Sequence, residues 1–300
     1  MSRPWDVNGE CARGLVELAA EFEAIRPRLV GVAYGLLGSL GEAEDVVQEA
    51  WLRLSRTAHA EIDDVTGWLV VTVSRLALDV LRSARVRREE YVGPWLPEPV
   101  VEGGDPADRV TLDESMSLAM LVVLESLSPA ERTAFVLHDV FGLAFDEVGR
   151  VVGRTPAACR QLAARARRHV RSRGPRFEVD PAEHRKVVTA FAGACLGHDL
   201  DALLTLLDPT VVLRSDGGGV VTAARRVLRG ADRVARFLVG VMTRRARPGY
   251  ALEPTTVNGE PGLCWTRDGE VKCVIGIAVV DGRVTEIYMV LNPEKLGRVQ

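Results

Sequence analysis

The chain has 300 residues, 47% hydrophobic and 26% charged, with a formal net charge of −3. That length suits about two domains of roughly 150 residues, and the apolar fraction excludes wholesale disorder. The uncharged stretch Leu29 to Leu40 is too short for a membrane span, which takes about 20 residues, and no basic leader accompanies it. The expectation is a cytoplasmic protein with no membrane contact.

Apolar residues recur at three-to-four spacing over Phe22–Leu37, Glu42–Leu54 and Gly67–Leu81, which predicts helices. Gly93 to Asp108 holds Pro94, Pro97, Pro99 and Pro106, and that many prolines exclude a regular helix. Helical patterns resume at Leu112–Leu124, Pro129–Val140, Phe145–Val152 and Pro156–Arg171. Ser172 to Pro181 is a second break. Residues 183–207 read as one or two helices. Strand-like runs follow at Val211–Arg214, Tyr250–Val257, Leu263–Thr266, Val271–Val280 and Val284–Leu291, interrupted by a helix at Ala231–Met242. Asp268-Gly269 and Asp281-Gly282 read as hairpin turns. The expected organisation is an all-α segment 1–92, a proline-rich linker 93–108, an all-α segment 109–173, and an α+β domain 182–300 with a curved antiparallel sheet.

Cys11, Cys159, Cys195, Cys264 and Cys273 are widely spaced, with no Cys-x-x-Cys pair. They read as buried thiols, and neither a metal site nor a cofactor is expected. Charge is unevenly spread. Residues 160–173 carry six arginines and no acid, whereas 97–114 carry six acids against Arg109. A basic stripe points to a polyanionic partner that the net charge conceals.

Ser128-Pro129-Ala130-Glu131 has the form of a capping box with Pro at the first helical position. The short helix Phe145–Val152 ends at Gly153, and Thr155-Pro156 opens a longer basic helix. Short helix, glycine turn and capped basic helix make a helix-turn-helix, whose second helix enters the major groove. Arg160 and Gln161 lie in its first turns and suit base edges, while Arg165, Arg167, Arg168 and Arg171 suit phosphates. A second basic face runs through Arg75, Arg82 and Arg85, with Asp79 between them.

Glu44-Asp45-Val46-Val47-Gln48-Glu49-Ala50-Trp51-Leu52-Arg53-Leu54 and Gly67-Trp68-Leu69 through Arg82 resemble region 2 of bacterial RNA polymerase sigma factors. Leu127-Ser128-Pro129-Ala130-Glu131-Arg132 through the basic helix resembles region 4. The resemblance covers about residues 20–172, and with only those two regions it is to the extracytoplasmic-function subfamily. It implies core RNA polymerase as partner, through the β′ coiled coil and the β flap, and promoter DNA through the −10 and −35 elements. Asp45, Gln48, Glu49 and Arg53 would face the polymerase. The loop His59 to Asp64 would receive an unstacked base, and Trp68 reads first as a core indole.

The last segment resembles the SnoaL-like, NTF2-type cone domain. One sigma group carries that domain after region 4, with a Trp-Leu-Pro-Glu-Pro linker and Asp-Gly-Gly-Gly-Lys and Asn-Pro-Asp-Lys-Leu motifs. Trp95-Leu96-Pro97-Glu98-Pro99 is intact here. Asp216-Gly217-Gly218-Gly219 is followed by Val220 instead of Lys, and Asn292-Pro293-Glu294-Lys295-Leu296 differs by one methylene. The resemblance implies a fused regulator that makes a separate anti-sigma protein less necessary. Trp95, Leu96, Pro97 and Asp216, Gly217, Gly218, Gly219 are the candidate inter-domain contacts. Taken alone, the three glycines read as a mobile loop. His198-Asp199-Leu200-Asp201 reads as a helix-to-helix turn with capping carboxylates, so no catalytic residue is assigned. A small-molecule ligand in the cone, sensed or turned over there, is the rival reading.

Overall fold

The computed structural model describes residues 7–57, 62–89, 91–101, 116–173, 180–245 and 248–299. Three helices come first: α1 (Val7–Leu37), α2 (Leu40–Leu54) and α3 (Val65–Glu89). Ser39 caps α2 by accepting the Glu42 amide at 3.4 Å, and Asp64 accepts the Gly67 amide at 2.9 Å at the start of α3. The segment 91–101 bends at 92–93 and is otherwise irregular up to a single bridge between Val101 and Val257.

Next come α4 (Leu118–Leu124), α5 (Pro129–Phe135), α6 (Phe145–Val152) and α7 (Pro156–Arg173). The capping box at Ser128 and Glu131 forms as expected. The expected helix Pro129–Val140 changes character midway, because Val136–Val140 is a π-helical turn. Of the expected helix Leu112–Leu124, residues 112–115 lie outside the described residues, and the helix starts at Leu118.

Helices α1–α3 and α4–α7 do not build separate cores. Leu29, Val32, Leu36, Val73 and Ala77 of the first group pack in one continuous cluster with Leu121, Val136, Val148 and Leu162 of the second. Residue pattern predicts which face of a helix is buried but not which other helix it meets. That is why the sequence reads as two modules.

The rest is α8 (Pro181–Leu196), α9 (Leu200–Leu206), β1 (Leu207–Asp216), β2 (Leu228–Arg229), α10 (Ala231–Arg245), β3 (Tyr250–Val257), β4 (Glu260–Arg267), β5 (Glu270–Val280), β6 (Arg283–Val290) and α11 (Pro293–Leu296). Asp199 caps α9 by accepting the Ala202 amide at 2.9 Å, as its place in a helix-to-helix turn predicts. Asp268-Gly269 and Asp281-Gly282 have positive φ at both residues, as two-residue hairpins require. The sheet order is β2-β1-β6-β5-β4-β3. It is not wholly antiparallel: β1 runs parallel to β6, with Leu213 opposite Ile287 and Asp216 opposite Val290. The long connection between β1 and β6 makes that parallel pairing possible.

One face of the sheet packs with α8–α10 through Leu213, Leu263, Ile275, Ile287, Phe191 and Leu238. This is an α+β domain, as the sequence pattern predicts. The opposite face is covered by the helical half. Cys264, Val274, Ala278, Tyr288 and Val290 pack with Leu118 and Ala119 of α4, Leu96 of the linker and Leu296 of α11. At Gly276 a Cβ would meet the Leu118 side chain at 2.8 Å, so the missing methyl lets α4 lie against the sheet. Four cysteines, 159, 195, 264 and 273, are buried thiols outside any disulfide. Cys11 has no described side chain. Among the described residues no helix is long and apolar enough to cross a membrane, and no acid, His or Cys cluster could hold a metal ion.

Candidate functional site

Helix α2 buries Val46, Val47, Ala50 and Leu54 and turns Asp45, Gln48, Glu49 and Arg53 to solvent. Arg53 donates to Glu49 at 2.8 Å. Leu52, 39% exposed, completes an open face that is polar with one apolar contact point. Trp51 leans on Phe22 at 4.8 Å between centroids. Trp68 packs on the helical core, the core reading of that indole. Of the loop His59 to Asp64, residues 59–61 lie outside the described residues.

Helix α7 buries Cys159, Leu162, Ala163, Ala166 and Val170, which leaves Arg160, Gln161, Arg165 and Arg168 exposed. Thr155 accepts the Ala158 amide at 3.3 Å, and Gly153 adopts φ 72° in the turn before it. Arg160 stacks over Phe145 of α6 at 5.4 Å. Arg165 pairs with Glu131 at 3.1 Å, and Arg167 with Asp139 at 2.5 Å. Arg82 pairs with Asp79 at 3.1 Å on the surface of α3, and the side chain of Arg85 lies outside the described residues. Arg75 is exposed but bound within the chain: its Nε and Nη2 donate to the Arg150 carbonyl at 3.1 and 2.7 Å. This joins α3 to α6, the first helix of the helix-turn-helix.

The strongest polar constellation lies where linker, sheet and C-terminal segment meet. Asp216 is fully buried at the end of β1. Its carboxylate accepts from the Tyr91 hydroxyl at 2.6 Å, the Leu96 amide at 2.9 Å, the Gly218 amide at 3.0 Å and Lys295 Nζ at 2.8 Å. Its main-chain oxygen accepts the Leu291 and Asn292 amides. Lys295 also donates to the Leu96 carbonyl and sits 4.0 Å over the Trp95 ring. Asn292 donates to the Tyr91 hydroxyl at 3.1 Å. Burial and then the hydrogen bond to Asp216 push the Tyr91 phenol above its usual range, so it stays a donor. Pro97 borders Gly38 at the end of α1.

Asp216-Gly217-Gly218-Gly219 is therefore not a mobile loop. Four donors hold its carboxylate, and the glycines serve close approach. Gly218 has φ 65°, and a Cβ there would lie 2.5 Å from Asn292. Gly217 turns back on Val221, and Gly219 abuts Val92, just ahead of the linker. Val220, where a Lys was expected, is 74% exposed. The cation for Asp216 comes instead from Lys295.

A second hub lies beside it; Glu98, Arg132 and Glu44 lie within quoted motifs without an assigned role, and Tyr34, Asn258 and Arg298 escaped sequence reading. Glu98 is buried, and burial raises its carboxyl above the usual range. It accepts from the Leu40 amide at 2.8 Å and Ser39 Oγ at 3.2 Å, so the linker caps α2. The Tyr34 hydroxyl donates to the Glu98 carbonyl at 2.6 Å. Asn258, in the β3–β4 turn, donates to that hydroxyl at 2.8 Å and accepts the Val100 amide at 3.1 Å. Arg132 of α5, fully buried, donates to the Gly35 carbonyl at 3.3 and 3.2 Å and pairs with Glu125. Arg298, just after α11, reaches Glu44 of α2 and holds that carboxyl below its usual range.

A capped helix with an open polar face, a helix-turn-helix with a basic reading helix and a docked cone domain define a DNA-reading protein with a built-in third domain. Sigma-70 region 2 matches residues 22–87, and Sigma-70 region 4 matches residues 117–170. The chain is 43% identical over 290 residues to the ECF RNA polymerase sigma factor SigJ of Mycobacterium tuberculosis, covering 92% of each. It is 40% identical over 283 residues to a probable ECF RNA polymerase sigma factor, SigI, of the same species, covering 93% of this chain and 94% of the relative. The crystal structure of SigJ superposes with a TM-score of 0.76 at 41% identity, covering 93% of this chain and 98% of that one. The chain belongs to the extracytoplasmic-function (ECF) family of RNA polymerase sigma factors. It serves promoter-specific transcription initiation with core RNA polymerase.

Proposed function

We propose that the docked arrangement is the resting state of this sigma factor and that its release is the step that permits initiation. The observation that carries this reading is the fully buried Asp216, gripped by Tyr91 just after α3, by Leu96 of the linker and by the C-terminal segment through Lys295. On this reading Asp45, Gln48, Glu49 and Arg53 contact the β′ coiled coil, with the β flap as the second polymerase contact. Arg160, Gln161, Arg165, Arg167 and Arg168 read the −35 element, and Arg75, Arg82 and Arg85 engage the −10 element. The boundaries are 1–92 for the region 2 module, 93–108 for the linker, 109–173 for region 4 and 182–300 for the regulator.

The reason for inhibition is geometric. Two modules that share one core cannot straddle two separated promoter elements, and Arg75, Arg165 and Arg167 are engaged within the chain. The chain works in the cytoplasm as a binding protein, without catalysis, cofactor or metal. The closure it needs is built in, so a dedicated anti-sigma factor is not required. That last element has no support among similar structures, one of which is the sigma factor RpoE of Bartonella quintana in complex with the anti-sigma factor NepR. The test is transcription by core polymerase with the intact chain and with Asp216→Ala. Higher initiation by the variant supports the reading, and equal initiation by a folded variant removes it.

A further inference from the structure

A cavity of about 710 Å³ opens where the cone core meets the inter-domain core. Val221, Val271, Leu291 and Leu296 form apolar walls, and Tyr250, Arg267, Glu270 and Lys272 are its polar lining, with Lys272 neutralising Glu270 at 2.5 Å. The Arg267 guanidinium lies 5.4 Å over the Tyr250 ring and 3.5 Å from Asp268, with more than half of its side chain exposed. Its size lies within the usual range of small-molecule sites, roughly 300–1,000 Å³, and apolar walls with a few polar groups are the usual lining. None of these side chains contributes to the grip on Asp216.

The segment 292–299 serves both places. Leu296 of α11 walls the cavity, while Asn292, Lys295 and Arg298 hold Tyr91, Asp216 and Glu44. We propose that the cavity binds an amphipathic organic anion, an apolar ring or chain bearing a carboxylate or sulfonate, and that the bound molecule locks the docked state. The apolar body packs against Leu291, Leu296 and the Tyr250 face, and the anionic group pairs with Arg267. A ligand favours the state it binds more tightly, and this cavity is complete only while α11 is docked. The coupling is reciprocal, so undocking weakens the ligand as much as the ligand opposes undocking. The locking step rests on the docked state being the resting one, whereas the site itself does not.

The test is a fluorescence titration of the full chain with 1-anilinonaphthalene-8-sulfonate. One saturable site is expected. Arg267→Gln weakens it about tenfold, the worth of one charge-assisted contact. Val271→Trp, which fills the cavity, abolishes it at unchanged far-ultraviolet circular dichroism. Val299→Trp, on the same wall, replaces that variant should it not fold. Asp216→Ala, or Lys295→Met should the first not fold, weakens the probe and leaves a site that Arg267→Gln weakens further. Equal affinity in the Trp and Arg267→Gln variants overturns the site. Equal affinity in the undocked variants overturns the coupling. Transcription unaffected by Asp216→Ala would remove the resting-state reading and leave the titration at the cavity to stand on its own.

Discussion

Asp216 shows how much one side chain can hold when all its partners come from distant parts of the chain. A buried carboxylate is tolerable only when paired and hydrogen-bonded, and here a lysine and three further donors meet that condition. Asp216→Ala leaves Lys295 without its carboxylate and is expected to lower stability by about 3–5 kcal/mol, read from urea unfolding. Tyr91→Phe removes one neutral donor and is expected to lower it by about 1 kcal/mol in the same assay. The motifs around Trp95, Asp216 and Asn292 were legible because they are contiguous. Tyr34 and Asn258 were not, and Glu98 and Arg132 lay in quoted motifs without a role, because those roles come only from contacts made in the fold. Tyr34 and Asn258 lie 224 positions apart. A tyrosine inside an amphipathic helix reads as core, and an asparagine before glycine reads as a turn, so each had a sufficient local explanation.

Elements with a full period of side chains were readable, and those without one were not. Helices α2, α6 and α7 and strands β3 to β6 lie close to where three-to-four or alternating spacing puts them. Strand β2 has two residues and α11 has four, too few for a periodic signal. The parallel pairing of β1 with β6 escaped because pairing direction is set by topology and not by local pattern. Helix α2 carries a prediction of its own. Glu98 accepts amide and hydroxyl protons at its N-terminus, where a negative charge is also favoured by the helix dipole. Glu98→Ala is expected to speed hydrogen exchange at the start of α2 while leaving α8–α10 unchanged. At the start of β4, burial pushes the Glu260 carboxyl up to about 7 from 4.5. The folded chain then holds a proton that the unfolded chain has already lost. That contribution is full below about 4.5 and disappears as pH rises through about 7. Unfolding free energy should therefore fall with rising pH across this window, and Glu260→Gln should flatten that slope.

At the scale of the whole molecule, region 2, region 4 and the cone pack as one body through two layers of contact. The helical halves share a core and are bridged by Arg132 and Arg75. The cone lays its outer sheet face on α4 and the linker, with Leu96 fully buried between them. Leu96→Ala is expected to cost about 2–5 kcal/mol and to open the linker to protease cleavage before the cone is cut. This arrangement gives a physical sense to a regulator fused to its sigma factor. The effective concentration of a tethered domain is high, so modest contacts suffice to keep it docked, and losing one buried pair should shift the balance. The most direct measurement is initiation by core RNA polymerase on a promoter selected with this protein, comparing the intact chain with Asp216→Ala at equal folded fraction. The account predicts several-fold more transcript from the variant at limiting sigma factor. Equal or lower output from a variant that is folded and binds polymerase normally would contradict it.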